Sequence, residues 1–422
     1  MIRVWLFVIF CAVGPGNQAF SQGDPAFYMG GGRSGEKPQS KVWFHDSTWW
    51  CILPGTVSGK TAQRIYRLKG SQWQLADSRE QVVDEREGAR ADVLPQGDAI
   101  YVLSFHPRQS RFLAYDYDAK NRRYVRREGF PVVLSPLPVV GVETMVLSRE
   151  GARRFWAVFE GEPKGKERGE VRAIWSEDRD GKKWNLEGVR LGTGLDRDDI
   201  ATICRFGVGR DGKLAAIWSQ QSAMKTSNRD SAGVNRLWMR AHRDGADPQD
   251  WEQPVLIASG VGLTDDHLNT AVARDGTIFF VTKTSLDDLK PLDPALPLLM
   301  LYRQPAGGAW EGYPVSPIKE GGTRPIVVLD DALGRLHVFY SRPVPGSSGQ
   351  REIARRVSDK KQIHFESPDV AISAPGIYLN DPTSTRQRVS SHTGLMMMCW
   401  GQDRKKKGAN RAYYQLYLLG GD

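Results

Sequence analysis

Apolar and polar residues alternate with a period of two along most of the chain, the signature of half-buried β-strands. Seven times, a short strand is followed by a tight turn and then by a strongly apolar or aromatic strand. Examples of the apolar strands are Trp49-Trp50-Cys51-Ile52-Leu53, Phe155-Trp156-Ala157-Val158-Phe159 and Leu395-Met396-Met397-Met398-Cys399. The turns before them hold Ser47, Gly97, Gly151, Gly212, Gly276, Gly334 and Gly394, so the pattern recurs every 50 to 64 residues. Glycine at such turns supplies the positive φ that a tight hairpin needs. A third strand follows each pair. An aromatic residue then opens a fourth, as at Trp73, Tyr124, Trp184, Trp251, Trp310 and Phe365.

Four antiparallel strands repeating at this length form a unit that cannot bury both of its faces alone, so neighbouring units must stack in a ring. The pattern predicts an all-β fold, a seven-bladed β-propeller of four-stranded antiparallel blades, in one domain over residues 24–422. The seventh repeat lacks a fourth strand of its own after Leu418. The segment Pro25 to Met29 is expected to supply it and close the ring.

The turn Ser176-Glu177-Asp178-Arg179-Asp180-Gly181-Lys182-Lys183-Trp184 resembles an Asp-box, Ser-x-Asp-x-Gly-x-x-Trp, with one extra residue. Arg243-Asp244-Gly245 followed by Trp251 is a looser echo. By this turn and by its architecture the chain resembles the secreted sialidase-like propellers with BNR (Asp-box) repeats. The resemblance implies that the turn is structural and lies on the face opposite the active site. It also implies carbohydrate chemistry, as in sialidases, other glycosidases and polysaccharide lyases. The Phe/Tyr-Arg-Ile-Pro motif of sialidases is absent from this sequence.

Composition narrows the picture further. Hydrophobic residues make up 40% and charged residues 25% of the 422, which excludes a polytopic membrane protein and a disordered chain. The net charge is +9, but Lys and Arg are spread among acids instead of forming a basic stripe, so no nucleic-acid partner is expected. The one tight basic run, Arg404-Lys405-Lys406-Lys407, reads as a solvated loop tip. Residues 1–21 read as a signal peptide, with Arg3, an apolar core from Val4 to Val13, and Ala19 and Ser21 at the −3 and −1 positions of a cut. A secreted or periplasmic monomer without a later membrane span is expected. Cys51, Cys204 and Cys399 then remain, all in apolar runs, and read as buried, unpaired hydrophobes. Two G-x-G-x-x-G matches, at Gly30 and Gly207, lack the strand–turn–helix context of a dinucleotide site.

Strand direction locates the candidate site. First strands start, and second strands end, on one face. That rule gathers Glu143, Asp199, Asp266, His267 and Tyr340 as catalytic candidates, and Arg90, Lys283, Arg324 and Arg342 as substrate-binding ones. Long loops at 221–235 and 285–297 leave the same face. No metal or other cofactor is required, although Asp265, Asp266 and His267 have the chemistry to hold a divalent cation. A glycosidase needs two carboxylates, for which Glu143, Asp199 and Asp266 are available. A lyase needs a cation against a uronate and a His or Tyr base, for which Arg324, Lys283, His267 and Tyr340 serve. By the resemblance, Arg90, Arg324, Arg342 and Tyr340 also mimic the arginine cluster and tyrosine of a sialidase. The reading is therefore a carbohydrate-active propeller acting on an acidic glycan. The alternative is a non-catalytic propeller that binds a glycan or a protein. An enzyme would gather carboxylates, or a His–Tyr pair, around one concave point, whereas a binding module would gather aromatics and amides.

Overall fold

The computed structural model describes residues 19–21, 25–35, 38–76, 82–163, 168–207, 211–221, 228, 233–405 and 410–420. Most of the expected signal segment, half of the basic run at 404–407 and most of the loop at 221–235 lie outside them. No helix among the described residues is long and apolar enough to cross a membrane.

The strands form six hydrogen-bonded sheets arranged as a propeller. Five are self-contained blades of four or five strands. Their innermost strands are Val42–His45, Arg90–Gln96, Met145–Arg149, Ala201–Phe206 and Leu268–Val272. The sixth sheet has nine strands and contains both Thr323–Asp330 and Ile377–Thr383. The expectation of seven separate four-stranded blades is thus corrected to five blades and one composite sheet. The reason lies at Arg351–Asp359. Its outer neighbour, Asp369–Ile372, pairs only with Ile353, Ala354 and Arg355. The free end at Arg351 then bridges in parallel to Tyr378 and fuses the last two repeats.

The chain ends meet in this composite sheet. Phe27–Gly30 pairs antiparallel with Asn410–Tyr417, and Ala19–Ser21 pairs with the same strand. An apolar cluster holding Trp49, Cys51 and Leu53 with Met396, Met398 and Trp400 packs this sheet against the first blade, so the ring is closed by burial as well.

Innermost strands leave backbone N–H groups facing the axis, and such groups need partners. Neighbouring sheets supply them. The carboxylate of Asp92, fully buried, accepts the N–H of Leu147 at 2.7 Å and of Ser40 at 2.8 Å, and pairs with Arg386. Asn269 Oδ1 accepts the N–H of Val327 at 3.0 Å. On the rim, the Asp178 carboxylate accepts the N–H groups of Asp180, Lys182 and Lys183 at 2.9, 3.0 and 2.8 Å. Trp184 of the same turn packs edge-on against Phe112 of the preceding blade.

Candidate functional site

On the face where first strands begin, a cavity of about 480 Å³ is lined from the first two blades, the approaches to Met145–Arg149 and Leu268–Val272, and the composite sheet. Arg90, Glu143, Asp266 and Arg324 line it, so the structure brings together four of the residues singled out by strand direction. It adds Asp381, Arg33, Arg86 and Glu87. Four arginines therefore face four carboxylates, with Gln63 as the only amide and no aromatic side chain among the described lining residues.

The floor is built around Arg324. Its Nε lies 2.5 Å from Asp381 Oδ1, and its Nη1 lies 3.2 Å from His267 Nε2. Guanidinium N–H groups only donate, so Nε2 must accept and the His267 proton sits on Nδ1, against the Asp266 carboxylate. Asp381 in turn takes the indole N–H of Trp400 at 2.5 Å. The result is one line of contacts, Asp266–His267–Arg324–Asp381–Trp400. His267 therefore has a contact at each ring nitrogen and stands directly against Arg324.

The local backbone explains how Arg324 and Asp381 reach the cavity. Each has a positive φ, 56° and 49°, and each stands immediately before a proline. The strand pairing breaks at both places, between Thr323 and Ile326 and between Asn380 and Thr383. Such breaks turn a side chain out of the pleat. Non-glycine residues in this region cost on the order of 1–3 kcal/mol each and persist only where the surroundings hold them. The glycine segment after Phe27–Gly30 forms the opposite wall. A Cβ on Gly32 would come within 2.2 Å of the Pro54 ring, and one on Gly35 within 2.9 Å of the Asp381 carboxyl. The first G-x-G-x-x-G match is therefore a close-packed wall, as its lack of a following helix implies.

Glu143 is placed through a buried carboxyl. Glu160 Oε1 accepts the N–H of Glu143 and of Thr144, each at 3.1 Å, and the Glu143 carbonyl accepts from Arg90 Nη1 at 3.1 Å. Burial, with a smaller push from the Glu143 charge, raises the pKa of Glu160 to about 8.

The other sequence candidates stand apart from this cavity. Asp199 is fully buried and stitches its own loop, accepting from the N–H groups of Asp196 at 2.7 Å and Gln221 at 2.8 Å. Tyr340 is fully buried, donates to Glu320 at 2.9 Å, and is pushed up to about 12, chiefly by burial. Arg342 pairs with Glu352 at 2.9 Å. Lys283 binds Asp265 at 2.6 Å and Asp287 at 3.1 Å. Burial opposes its charge, yet those two acids hold its pKa above the ordinary value. This ammonium also bears on the cation question. Asp265, Asp266 and His267 do cluster, but Lys283 already neutralises Asp265, and His267 Nδ1 faces Asp266. The three remain a donor set with the chemistry to hold a cation, for which Lys283 competes at Asp265. The described part of the 285–297 loop does not line the cavity.

Strand direction did not gather Asp381 among the site candidates. Its signal was available: Arg324-Pro325 and Asp381-Pro382 are the same charged-residue–proline step in successive repeats. Arg33, Arg86 and Glu87 lie in connecting segments and carry no such mark.

No protein-family model matches the chain, and no curated protein matches it by sequence. Solved structures similar to it include a protein of unknown function from Dyadobacter fermentans, at 14% identity and a TM-score of 0.49, covering 96% of this chain and all of the other. An α-L-arabinofuranosidase of Fusarium graminearum is similar at 11% identity and a TM-score of 0.45, covering 94% of this chain and 98% of that one. A sialidase of Trypanosoma rangeli is similar at 14% identity and a TM-score of 0.45, covering 92% of this chain and 73% of that one. At these identities, and with TM-scores below 0.5, the likenesses do not bear on what this chain does.

Proposed function

We propose that the cavity around Arg324 is the active site of a glycoside hydrolase. The observation that carries this reading is the gathering of Glu143 and Asp266 with Arg90 and Arg324 at one concave point, without the aromatics and amides of a binding platform. Cleavage of a glycosidic bond needs one carboxylic acid to protonate the leaving oxygen and one carboxylate to attack the sugar or activate water. Glu143 and Asp266 are both half-buried at the cavity wall and fill these two roles. Arg90 and Arg324 hold the substrate through charge-assisted hydrogen bonds. Asp381, behind Arg324, positions it. The lyase alternative loses support, because Tyr340 is buried away from the cavity and His267 Nε2 faces a guanidinium.

The test is release of reducing ends from a panel of neutral, uronate-containing and sialylated glycans. Wild-type protein is expected to cleave at least one of them. Glu143→Gln and Asp266→Asn should each lower kcat by 100-fold or more, about the scale of general acid–base catalysis. Binding of a glycan without cleavage, unchanged in both variants, would instead establish the non-catalytic reading.

A further inference from the structure

A second concavity, of about 400 Å³, lies on the outer part of the ring between the strands Trp184–Leu195 and Lys213–Gln220 with Val234–Arg243. It shares no lining residue with the cavity described above. Arg190, Thr193, Trp218, Gln220, Trp238 and Arg240 line it, and none of the described lining residues carries a carboxylate. Where the first cavity balances four cations with four anions, this groove holds two guanidinium groups and no acid.

Arg240 is the unusual member. Its N–H groups donate only to backbone carbonyls: Nε to Glu252 at 2.7 Å, Nη2 to Trp251 at 3.0 Å, and Nη1 to Arg190 and Leu191, each at 3.4 Å. Among the described residues no acid lies within ion-pair distance, and burial lowers its pKa from the ordinary value. The carbonyls fix the guanidinium in place without cancelling its charge. Among the described residues Arg190 has a single ion-pair contact, Glu170, at 4.0 Å. The polar floor is equally well held. Gln220 accepts the indole N–H of Trp238 at 2.8 Å and donates to the Thr193 carbonyl at 3.0 Å. Gly192 lets this wall close on Trp218, since a Cβ there would lie 2.8 Å from the ring.

An indole carries the apolar face of a flat ring, the Arg190 guanidinium fork matches a planar or tetrahedral oxyanion, and Arg240, with four of its five N–H groups taken by carbonyls, adds its charge and the one N–H left on Nη2. Pre-fixed donors lose little freedom on binding. We propose that this groove binds a pyranose unit bearing a carboxylate or a sulfate, with the anion on Arg240 and Arg190 and the sugar ring against Trp238. The site is independent of catalysis at the other cavity and would hold an acidic glycan beside it.

The full-length protein is titrated calorimetrically with tetragalacturonate, a sulfated chondroitin tetrasaccharide and neutral galactotetraose, and the Trp238 indole N–H resonance is followed. One or both acidic probes should bind and shift that resonance, and galactotetraose should not. Uronate and sulfate as the source of the anion are told apart by which probe binds. Arg240→Gln and the exposed Arg190→Gln should each weaken binding by about tenfold. Arg324→Ala, which removes a substrate contact of the other cavity, should leave the Trp238 resonance shift unchanged even where it lowers total glycan binding. The proposal is overturned if neither acidic probe binds, if galactotetraose binds equally well, or if a folded Arg190→Gln and Arg240→Gln both bind like wild type. Loss of binding in Arg324→Ala, with both groove variants intact, would assign the acidic glycan to the first cavity instead.

Discussion

Arg324 and Asp381 meet at 2.5 Å between Nε and Oδ1, and both do so from a left-handed backbone held against a following proline. The two residues occupy equivalent positions in successive repeats, so the same bulge is used twice to aim opposite charges at each other. Their attraction, with the Trp400 indole on Asp381, helps hold two conformations that each cost energy alone.

Removing Asp381 should therefore cost more than its exposure suggests. Asp381→Ala strands the Arg324 guanidinium and the Trp400 N–H, and about 2–3 kcal/mol of stability should be lost in denaturant unfolding. Asp381→Asn keeps an acceptor for Trp400 and tolerates positive φ, so its loss should be about 1 kcal/mol. Equal losses in the two variants would disprove the account.

Glu160 predicts a pH dependence of stability. Its pKa rises from 4.5 in the unfolded chain to about 8 in the folded one, mainly because of burial. Below pH 4.5 both states are protonated and the group has no effect. Between that value and about 8 the unfolded state binds fewer protons, so stability falls as pH rises, by up to several kcal/mol in total. Glu160→Gln still accepts the N–H groups of Glu143 and Thr144. It should flatten this slope in thermal unfolding at graded pH, and an unaltered slope would count against the buried acid.

Asp178 should be structural only. It accepts three backbone N–H groups on the rim, in a turn whose Trp184 locks onto the neighbouring blade. Asp178→Ala should lower stability by about 1–2 kcal/mol and leave glycan cleavage per folded molecule intact. A change in KM measured on folded protein would show that the turn reaches the site.

The three described cysteines should stay reduced. Cys51 and Cys399 are buried and burial raises both thiols far above normal, while Cys204 is half-buried and pushed up to about 12, chiefly by burial. Thiolate is the reactive form. Thiol reagents at pH 7 should label Cys51 and Cys399 only after denaturation, and peptide mapping that links any two of the three would refute the prediction.

Strand pattern, turn glycines and aromatic spacing were enough to determine an all-β ring, because alternation and turn chemistry are local properties that each residue expresses with its neighbours. The same pattern also placed Arg90, Glu143, Asp266 and Arg324 at strand ends that line one cavity, since antiparallel pairing converts sequence order into direction. The number of separate blades was not legible. It depended on whether Arg351 bridges to Tyr378, a contact between repeats that no period encodes. Nor could direction distinguish side chains that share one face. Asp199 and Tyr340 start or end strands just as Glu143 and Arg324 do, yet they are consumed by a loop and by Glu320. The contacts of His267 and Lys283 were decided in the same way, by the Arg324 and Asp265 beside them. A charged group's task depends on which partner reaches it first in three dimensions, and only the packed ring sets those distances.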